Sequence, residues 1–136
     1  MTGLANNPLQ KAIYDALAGD APLIAKVTGV YDEVDEKAPL PIVVIGDGTT
    51  VDNSTKTEDG QTHTITIHAW SGAHGRMEVK DIMGLIYDVL HNSSLTVTGH
   101  SVVLIRFEFS EDFRELEDER TINHGVMRFR VITEKI

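Results

Sequence analysis

The stretch His63–His91, HTITIHAWSGAHGRMEVKDIMGLIYDVLH, decides the fold of this chain. Over Thr62–Trp70 the side chains alternate between two chemical characters, and this period of two predicts a strand. The small residues of Ser71–Gly75 predict a tight connection. Apolar residues then recur every three or four positions over Arg76–Leu90, which predicts an amphipathic helix facing a core. The segment is a scaffold unit without a row of catalytic groups.

Two helical segments precede this unit. Apolar spacing behind a proline that suits a first helical turn predicts a helix over Pro8–Ala18. Pro22–Val27 predicts a further helical turn. Within the main helix, Gly84 is expected to allow close packing, at a propensity cost of about 1 kcal/mol.

Strands are predicted on both sides of the unit. A short strand is expected at Val30–Val34, and Ile42–Gly46 is apolar on both faces, as is typical of a central strand. Leu95–Thr98 and Val102–Phe109 are expected to pair as a hairpin, and Asn123–Thr133 forms the last strand. One face of the hairpin is predicted to hold Val103, Ile105, Phe107 and Phe109. The order predicts one α+β domain over residues 1–136, a mostly antiparallel β-sheet with two main helices packed on one face.

Two polar segments separate these elements. Gly48–Gly60 predicts a long mobile loop or a protruding hairpin, and a long loop in a compact domain is usually functional. Ser110–Ile122 is expected to be a second, very acidic connection. Its acidic residues are Glu111, Asp112, Glu115, Glu117, Asp118 and Glu119.

The composition restricts the classes of partner. The formal charge of the 136-residue chain is −9, so free nucleic acid and anionic membranes are poor partners, because binding to phosphates depends on Lys and Arg. The chain has no cysteine, which excludes disulfides and thiolate metal sites and fits a reducing compartment. No secretory signal is expected at the start, and no run approaches the ~20 apolar residues of a membrane span.

No set of residues predicts catalysis, a metal site or a cofactor. The six histidines are scattered, and His63 and His68 face opposite sides of their strand. The chain lacks H-E-x-x-H, G-x-S-x-G and a G-K-[ST] phosphate loop. Ser71 is expected to be a cap or turn residue rather than a nucleophile. We therefore expect a protein that is not an enzyme and uses no cofactor.

Several stretches together resemble one known family. They are LQKAIYDAL in the first helix, VYDEVDEKAPLPIVVIG, STKTEDGQTHTITIHAWS with G-R-x-E-x-x-x-I behind it, and GHSVVLIRFEFSEDFRELEDERTINHGVMRFRV. Over about Leu9 to Glu134 the chain resembles the tail completion, or tail terminator, proteins of long-tailed bacteriophages, prophages and gene transfer agents.

The resemblance implies a structural virion protein. Such a protein forms a homo-oligomeric ring, usually a hexamer, on the last ring of the tail tube. The ring stops tube polymerisation and offers a docking surface to the head–neck connector. DNA passes through its lumen without specific binding. The resemblance also implies a location in the tail or neck of a particle assembled in the bacterial cytoplasm, and a β-sheet with helices packed on it.

A cyclic ring needs two different, complementary patches on each subunit. One patch is expected on the polar face of the sheet, which carries Arg106, Glu108, Arg128 and Arg130. The acidic Ser110–Ile122 segment of a neighbour is the expected mate, because guanidinium groups pair bidentately with carboxylates. Alternatively, both patches are solvated charge clusters, or the acidic segment lines the lumen and repels DNA.

The Gly48–Gly60 segment is the expected contact with the tail tube or neck. Its ordering on docking would keep free subunits from assembling early, and the alternative is an ordinary disordered surface loop. The residues expected to make this contact are Thr49, Asp52, Asn53, Lys56, Glu58 and Asp59.

Two other functions stay open from the residues alone. One is another neck protein of the same particle, such as a head-completion or adaptor subunit, which binding to tail-tube protein or to the portal-side ring would distinguish. The other is a small ligand-binding or enzymatic α+β domain, which requires a deep apolar pocket with convergent polar groups.

Overall fold

The computed structural model describes residues 3–34, 38–117 and 120–136. Its elements, in chain order, are α1 (Asn6–Ala18), α2 (Ala21–Lys26), β1 (Val30–Tyr31), β2 (Ile42–Asp52), β3 (Gly60–Ser71), α3 (Met77–Leu90), β4 (His100–Glu117) and β5 (Arg120–Lys135). The strands form one sheet in the order β1-β2-β3-β5-β4. β1 runs parallel to β2, and the other neighbouring pairs are antiparallel. The predicted α+β class and mostly antiparallel sheet are confirmed.

The three helices bury one apolar cluster against one face of the sheet. On β3 the predicted alternation is confirmed, because every second residue from His63 to Ser71 is buried. The inward side of β5 is buried as predicted at Met127, Phe129 and Val131. Each large apolar side chain in such a core contributes about 1.5–3 kcal/mol. The helix residues that complete the cluster include Leu9, Ile13, Leu17, Leu23, Val79, Ile82, Ile86 and Leu90.

The helix ends follow local chemistry. The Asp20 carboxylate accepts a hydrogen bond from the Leu23 N–H at 3.1 Å, which caps α2 in the way short acidic side chains favour. The predicted helical turn at Pro22–Val27 is thus a six-residue helix, Ala21–Lys26. It packs against α1 and α3, so a third, short helix joins the two main ones on the same face.

Strand β4 has a different partner from the one predicted. Leu95–Thr98 is not a strand, since it contains only an isolated bridge between Val97 and His100 around Gly99 at φ 79°. β4 pairs instead with β5, from His100 opposite Lys135 to Glu117 opposite Arg120. A strand of 16 residues offers β4 a partner along its length, whereas the short 95–98 segment does not.

Two bulges change which side chains of β4 face the core. The register shifts between Val102 and Leu104, and again between Phe107 and Phe109. Each bulge adds a residue to one strand and reverses the alternation beyond it. Val103 and Phe109 are therefore 55% and 39% exposed, whereas Ile105 is buried and Phe107 packs on the core. The prediction of one shared face for these four residues is wrong at its two ends.

The predicted acidic connection at Ser110–Ile122 is largely strand. Ser110–Glu117 continues β4, and Arg120 begins β5. Asp118 and Glu119 lie outside the described residues. Charged side chains are common on edge strands, and the backbone of this segment bonds to β5 from Glu111 opposite Val126 onward. The high charge of Ser110–Glu117 is therefore compatible with a strand.

Of the two alternatives for Gly48–Gly60, the hairpin is confirmed. β2 continues to Asp52 after a register shift between Ile45 and Gly48, and β3 begins at Gly60. Thr49 and Asp52 thus belong to β2. Asn53, Lys56, Glu58 and Asp59 lie in the connecting turn.

The first strand is shorter than predicted. β1 covers only Val30–Tyr31 and pairs with Val43 and Val44 of β2. β2 is therefore flanked on both sides over two residues only, and not over the whole of Ile42–Gly46. Its apolar residues are buried on both faces, because Val43 and Ile45 join the helix-side core while Ile42 and Val44 lie opposite Trp70 and His68 on β3.

Close packing between α3 and the sheet depends on Gly125, not on Gly84 as predicted. A Cβ at Gly125 would lie 2.5 Å from Met83 Sδ and 3.2 Å from Val79 Cγ2, whereas a Cβ at Gly84 would meet nothing within 4 Å. Gly84 lies on the exposed side of α3.

We predict opposite effects for the two alanine substitutions. Gly125→Ala overpacks the helix–sheet contact and should lower the free energy of unfolding by about 1–3 kcal/mol. Gly84→Ala removes a flexible residue from an exposed helix position and should raise it by up to about 1 kcal/mol. Urea denaturation of both variants tests this, and a stabilised Gly125→Ala would contradict the packing assignment.

Candidate interaction surface

The sheet face opposite the helices, called here the open face, carries the predicted arginine patch. Strand register places Arg106 of β4 beside Arg130 of β5, and Arg130 beside Thr64 of β3. Arg128 lies opposite Thr66 in the same way. The prediction that Arg128 and Arg130 point away from the core is confirmed, because both are exposed.

Arg106 and Arg130 face each other directly across two strands. Like charges in that position are destabilising. Both side chains are exposed, and within residues 3–34, 38–117 and 120–136 neither has an ion pair. The open face therefore presents two adjacent guanidinium groups that lack an anionic partner in the described part of the subunit.

Arg128 is already engaged within the subunit. Its Nε lies 3.5 Å from Glu108 Oε1, and its guanidinium carbon lies 4.8 Å from the centroid of the Phe109 ring. The bulge after Phe107 turns that ring to the open face. The ion pair is half exposed, so it contributes only ~0–1 kcal/mol. Of the predicted interface residues, Glu108 and Arg128 thus contact each other.

The acidic residues occupy the far end of β4. Glu111 is exposed and lies opposite Val126, and Asp112 is half-buried opposite Gly125. Glu115 contacts His124, with 3.0 Å between its Oε1 and the imidazole Nδ1. Glu117 ends β4. Within one subunit, the structure does not bring Glu111 or Glu115 to the Arg106–Arg130 pair.

Sequence reasoning missed a cluster of rings beside these carboxylates. His68 and Trp70 stack with ring centroids 5.2 Å apart, and Trp70 and His124 stack at 4.3 Å. His68 Nδ1 and His124 Nε2 are hydrogen-bonded at 2.8 Å. Phe113 adds a ring 4.9 Å from His124. A signal was present, since His68 and Trp70 interrupt the threonines on the polar side of β3.

A third strand histidine, His63, is part of the helix-side core. It is 1% exposed, with Nδ1 2.9 Å from Thr50 Oγ1 and Nε2 3.0 Å from Thr133 Oγ1. Burial, and then the neighbouring His100, lower the pKa of His63 from its ordinary value of 6.5. The prediction that His63 and His68 face opposite sides is confirmed.

The hairpin that joins β2 and β3 is held by its own hydrogen bonds. Ser54 Oγ donates to Asp52 Oδ1 at 2.6 Å, and the Thr55 N–H donates to the Glu58 carbonyl at 2.8 Å. Thr49, on β2, is hydrogen-bonded to the Thr64 hydroxyl. The predicted docking residues thus belong to a defined hairpin.

The described residues line several surface cavities. One of about 430 Å³ beside α1 and β1 has the exposed carboxylates Asp32 and Glu33 at its edge, and it is not an apolar pocket with convergent polar groups. The described residues contain no group of three or more His, Asp or Glu side chains that could hold a metal ion.

Comparison with known proteins decides the family. The family described as tail completion protein gp17 matches residues 11–134. The chain belongs to this family. The tail completion protein gp17 of Bacillus phage SPP1 is 28% identical over 127 residues, which cover 93% of this chain and 92% of the phage protein. The resemblance inferred from the residues is confirmed.

Solved structures agree with this assignment. A chain in the virion of a native gene transfer agent particle is 28% identical with a TM-score of 0.84, and the match covers 98% of this chain and 99% of that one. The SPP1 gp17 structure is 26% identical with a TM-score of 0.65, covering 99% and 96%. The chain is thus a structural tail completion protein of a phage or gene transfer agent tail, and no enzyme family is indicated.

None of the helices in the described part of the chain is long and apolar enough to cross a membrane.

We predict that stability falls on mild acidification because of the buried imidazole of His63 and the half-buried imidazole of His68. The pKa values of His63 and His68 are lowered in the folded state, so their contribution is complete above the unfolded value of 6.5 and is lost as pH falls below it. The slope is up to ~1.4 kcal/mol per pH unit for each proton. Urea denaturation between pH 7.5 and 5.5 should show a smaller loss for His63→Gln than for the parent. His74→Gln, at an exposed position, is the control, and equal slopes in all three proteins would refute the assignment.

Proposed function

We propose that identical subunits of this tail completion protein form a closed ring, a hexamer in the expected form, that caps the tail tube and joins it to the head–neck connector. The observation that carries the proposal is the Arg106–Arg130 pair on the open face. Two guanidinium groups side by side are costly in an isolated subunit, and a carboxylate from a neighbouring subunit would neutralise them.

The acidic end of the β4–β5 hairpin is the proposed source of that carboxylate. Glu111 is exposed, and Glu117, Asp118 and Glu119 follow it in the sequence. Arginine suits this role because its planar fork binds both oxygens of a carboxylate. Glu108 and Glu115 have partners inside the subunit, so they serve the contact less directly than Glu111.

The two patches supply the unlike surfaces that a ring requires. The arginine pair and the acidic hairpin end are different surfaces at different points along the same two strands. Contact between unlike patches is heterologous, and a heterologous contact that closes on itself generates a ring. The resulting ring would let DNA pass without specific binding, since the net charge of −9 per subunit disfavours phosphate contacts.

The β2–β3 hairpin is the proposed contact with the tail tube or the neck. Its turn contains Lys56, Glu58 and Asp59 and bonds to itself, so it offers a preformed shape to a partner. A preformed hairpin loses less conformational entropy on docking than a disordered loop does.

We predict that Arg130→Glu abolishes self-association without unfolding the subunit. The new carboxylate would lie opposite Arg106, and such a cross-strand pair contributes roughly 0.2–1 kcal/mol to subunit stability. Light scattering should therefore report monomers while the urea midpoint stays the same or rises. Arg76→Glu, on an exposed residue before α3, is the matched control and should assemble normally.

A charge exchange sharpens this test. Adding Glu111→Arg to the Arg130→Glu variant places the opposite charges on both patches and should restore assembly. If Arg130→Glu alone leaves oligomers unchanged, the arginine pair is not the interface.

We predict that purified protein binds tail-tube protein through the β2–β3 hairpin. Light scattering of the mixture should show a complex of the size of a ring bound to tail-tube protein. Lys56→Glu should weaken the affinity between the two proteins about tenfold or more, a loss of ~1.4 kcal/mol of binding free energy. Lys80→Glu, on the exposed side of α3, is the control. Binding only to the portal-side connector would instead favour the head-completion or adaptor alternative, and a strict monomer that ignores the tube protein would refute the terminator proposal.

A further inference from the structure

Three strands are joined on the open face by a chain of polar side chains. Glu115 of β4 lies 3.0 Å from His124 Nδ1 of β5, and His124 Nε2 lies 2.8 Å from His68 Nδ1 of β3. The chain crosses the sheet near the last pairing of β3 with β5, at Ser71 and Asn123. Beyond that level, β4 and β5 continue without β3. The contact therefore lies at the base of the projecting hairpin end.

The Glu115 carboxylate, at one end of this chain of hydrogen bonds, determines which nitrogen of each imidazole carries a proton. An ionised Glu115 can only accept, so His124 must donate from Nδ1. In a neutral imidazole the other nitrogen then carries a lone pair, so His124 Nε2 accepts a hydrogen bond from the Nδ1–H of His68. Each imidazole thus has one defined tautomer.

Packing holds the two imidazoles in place. Trp70 stacks on both rings, at 5.2 and 4.3 Å. On the other side of His68, a Cβ at Gly46 would lie 2.7 Å from the ring atoms Cδ2 and Nε2, so only glycine leaves room for the ring there. His124 is 8% exposed. The rings cannot turn away from each other while the hairpin stays in place.

We propose that His68, His124 and Glu115 form a pH-sensitive latch that holds the end of the β4–β5 hairpin against β3 and releases it when both imidazoles are protonated. One added proton is tolerated, because it can bind His68 Nε2 and leave both hydrogen bonds intact. A second proton must bind His124 Nε2, where two N–H groups would then face each other across 2.8 Å.

The surrounding charges set how strongly the closed latch resists protonation. Burial, and then the neighbouring His124, lower the pKa of His68 from 6.5, while Asp47 of β2 and Glu115 of β4 oppose this in part. The two rings lie 5.0 Å apart between centroids, so two imidazolium charges would repel. Separation of the hairpin from β3 relieves both the repulsion and the burial, and for this reason the open form binds protons more tightly.

The latch is a property of one subunit. Its consequence for assembly rests on the proposed function, because the hairpin it holds carries the acidic residues assigned to the ring contact. Release would move the acidic residues that follow Glu115 in the sequence away from the position that a neighbouring arginine pair requires. Acidification would then favour subunits over rings.

Amide hydrogen exchange of the subunit between pH 7.5 and 5.0 tests the latch directly. Protection factors, which correct for the pH dependence of intrinsic exchange, should fall for residues 113–116 and 121–124 as pH drops below 6.5. The opening constant should rise up to about tenfold per pH unit for each proton taken up. Amides of α3 should keep their protection. The emission of Trp70, the one tryptophan of the chain, should change in the same pH range.

Two variants separate the latch from general acid unfolding. His68→Gln keeps a hydrogen-bonding partner for His124 but cannot become charged, so hairpin protection should be independent of pH. Glu115→Gln removes the carboxylate that favours protonation of the two imidazoles, so release should shift to lower pH. His74→Gln leaves the backbone carbonyl that accepts from Arg114 unchanged and replaces only an exposed side chain, so this variant should behave as the parent.

Hairpin protection that does not change with pH in the parent protein would overturn the proposal. An equal loss of protection in His68→Gln would overturn it too. The exchange measurements can be repeated in Arg130→Glu, in which the subunit is expected to be monomeric. The latch is then tested within a single subunit, so a failed ring proposal and a failed latch give different results.

Discussion

The structure depends on the long antiparallel pairing of β4 with β5. This pairing brings Arg106 beside Arg130, places Glu115 within reach of His124, and makes Ser110–Glu117, predicted to be an acidic connection, part of a paired strand. Backbone hydrogen bonds along both strands fix these relations, so charges that would separate in a loop are held in register. The proposed interaction surface and the proposed latch both depend on this one strand pair.

A second constraint is that all three helices pack on the same face of the sheet. Helices α1, α2 and α3 share one apolar cluster with the inward side of β3 and β5, and no helix among the described residues covers the other face. Antiparallel sheets tolerate this arrangement because alternate residues can be polar. The chain belongs to the tail completion protein family, and this charged and aromatic sheet face is the surface proposed for contact between neighbouring subunits.

The bulges of β4 show how a small backbone irregularity shapes that surface. Without the second shift, Phe109 would face the helices instead of lying beside Arg128. The close packing of α3 against Gly125 fixes the opposite side of β5. Packing on the helix side thus fixes the position of the sheet. The surface of the open face is determined by strand register and by the identity of its side chains.

The sequence by itself determined the strand–turn–helix unit, the inward sides of β3 and β5, the α+β class and the family, because periodicity and local residue order carry that information. Tertiary structure decided the partner of β4, the positions of its bulges, the strand character of Ser110–Glu117, and the meeting of His68 with His124. These features depend on pairing between residues distant in the chain. Propensity and alternation describe one segment at a time, and only the assembled sheet sets which residue stands opposite which.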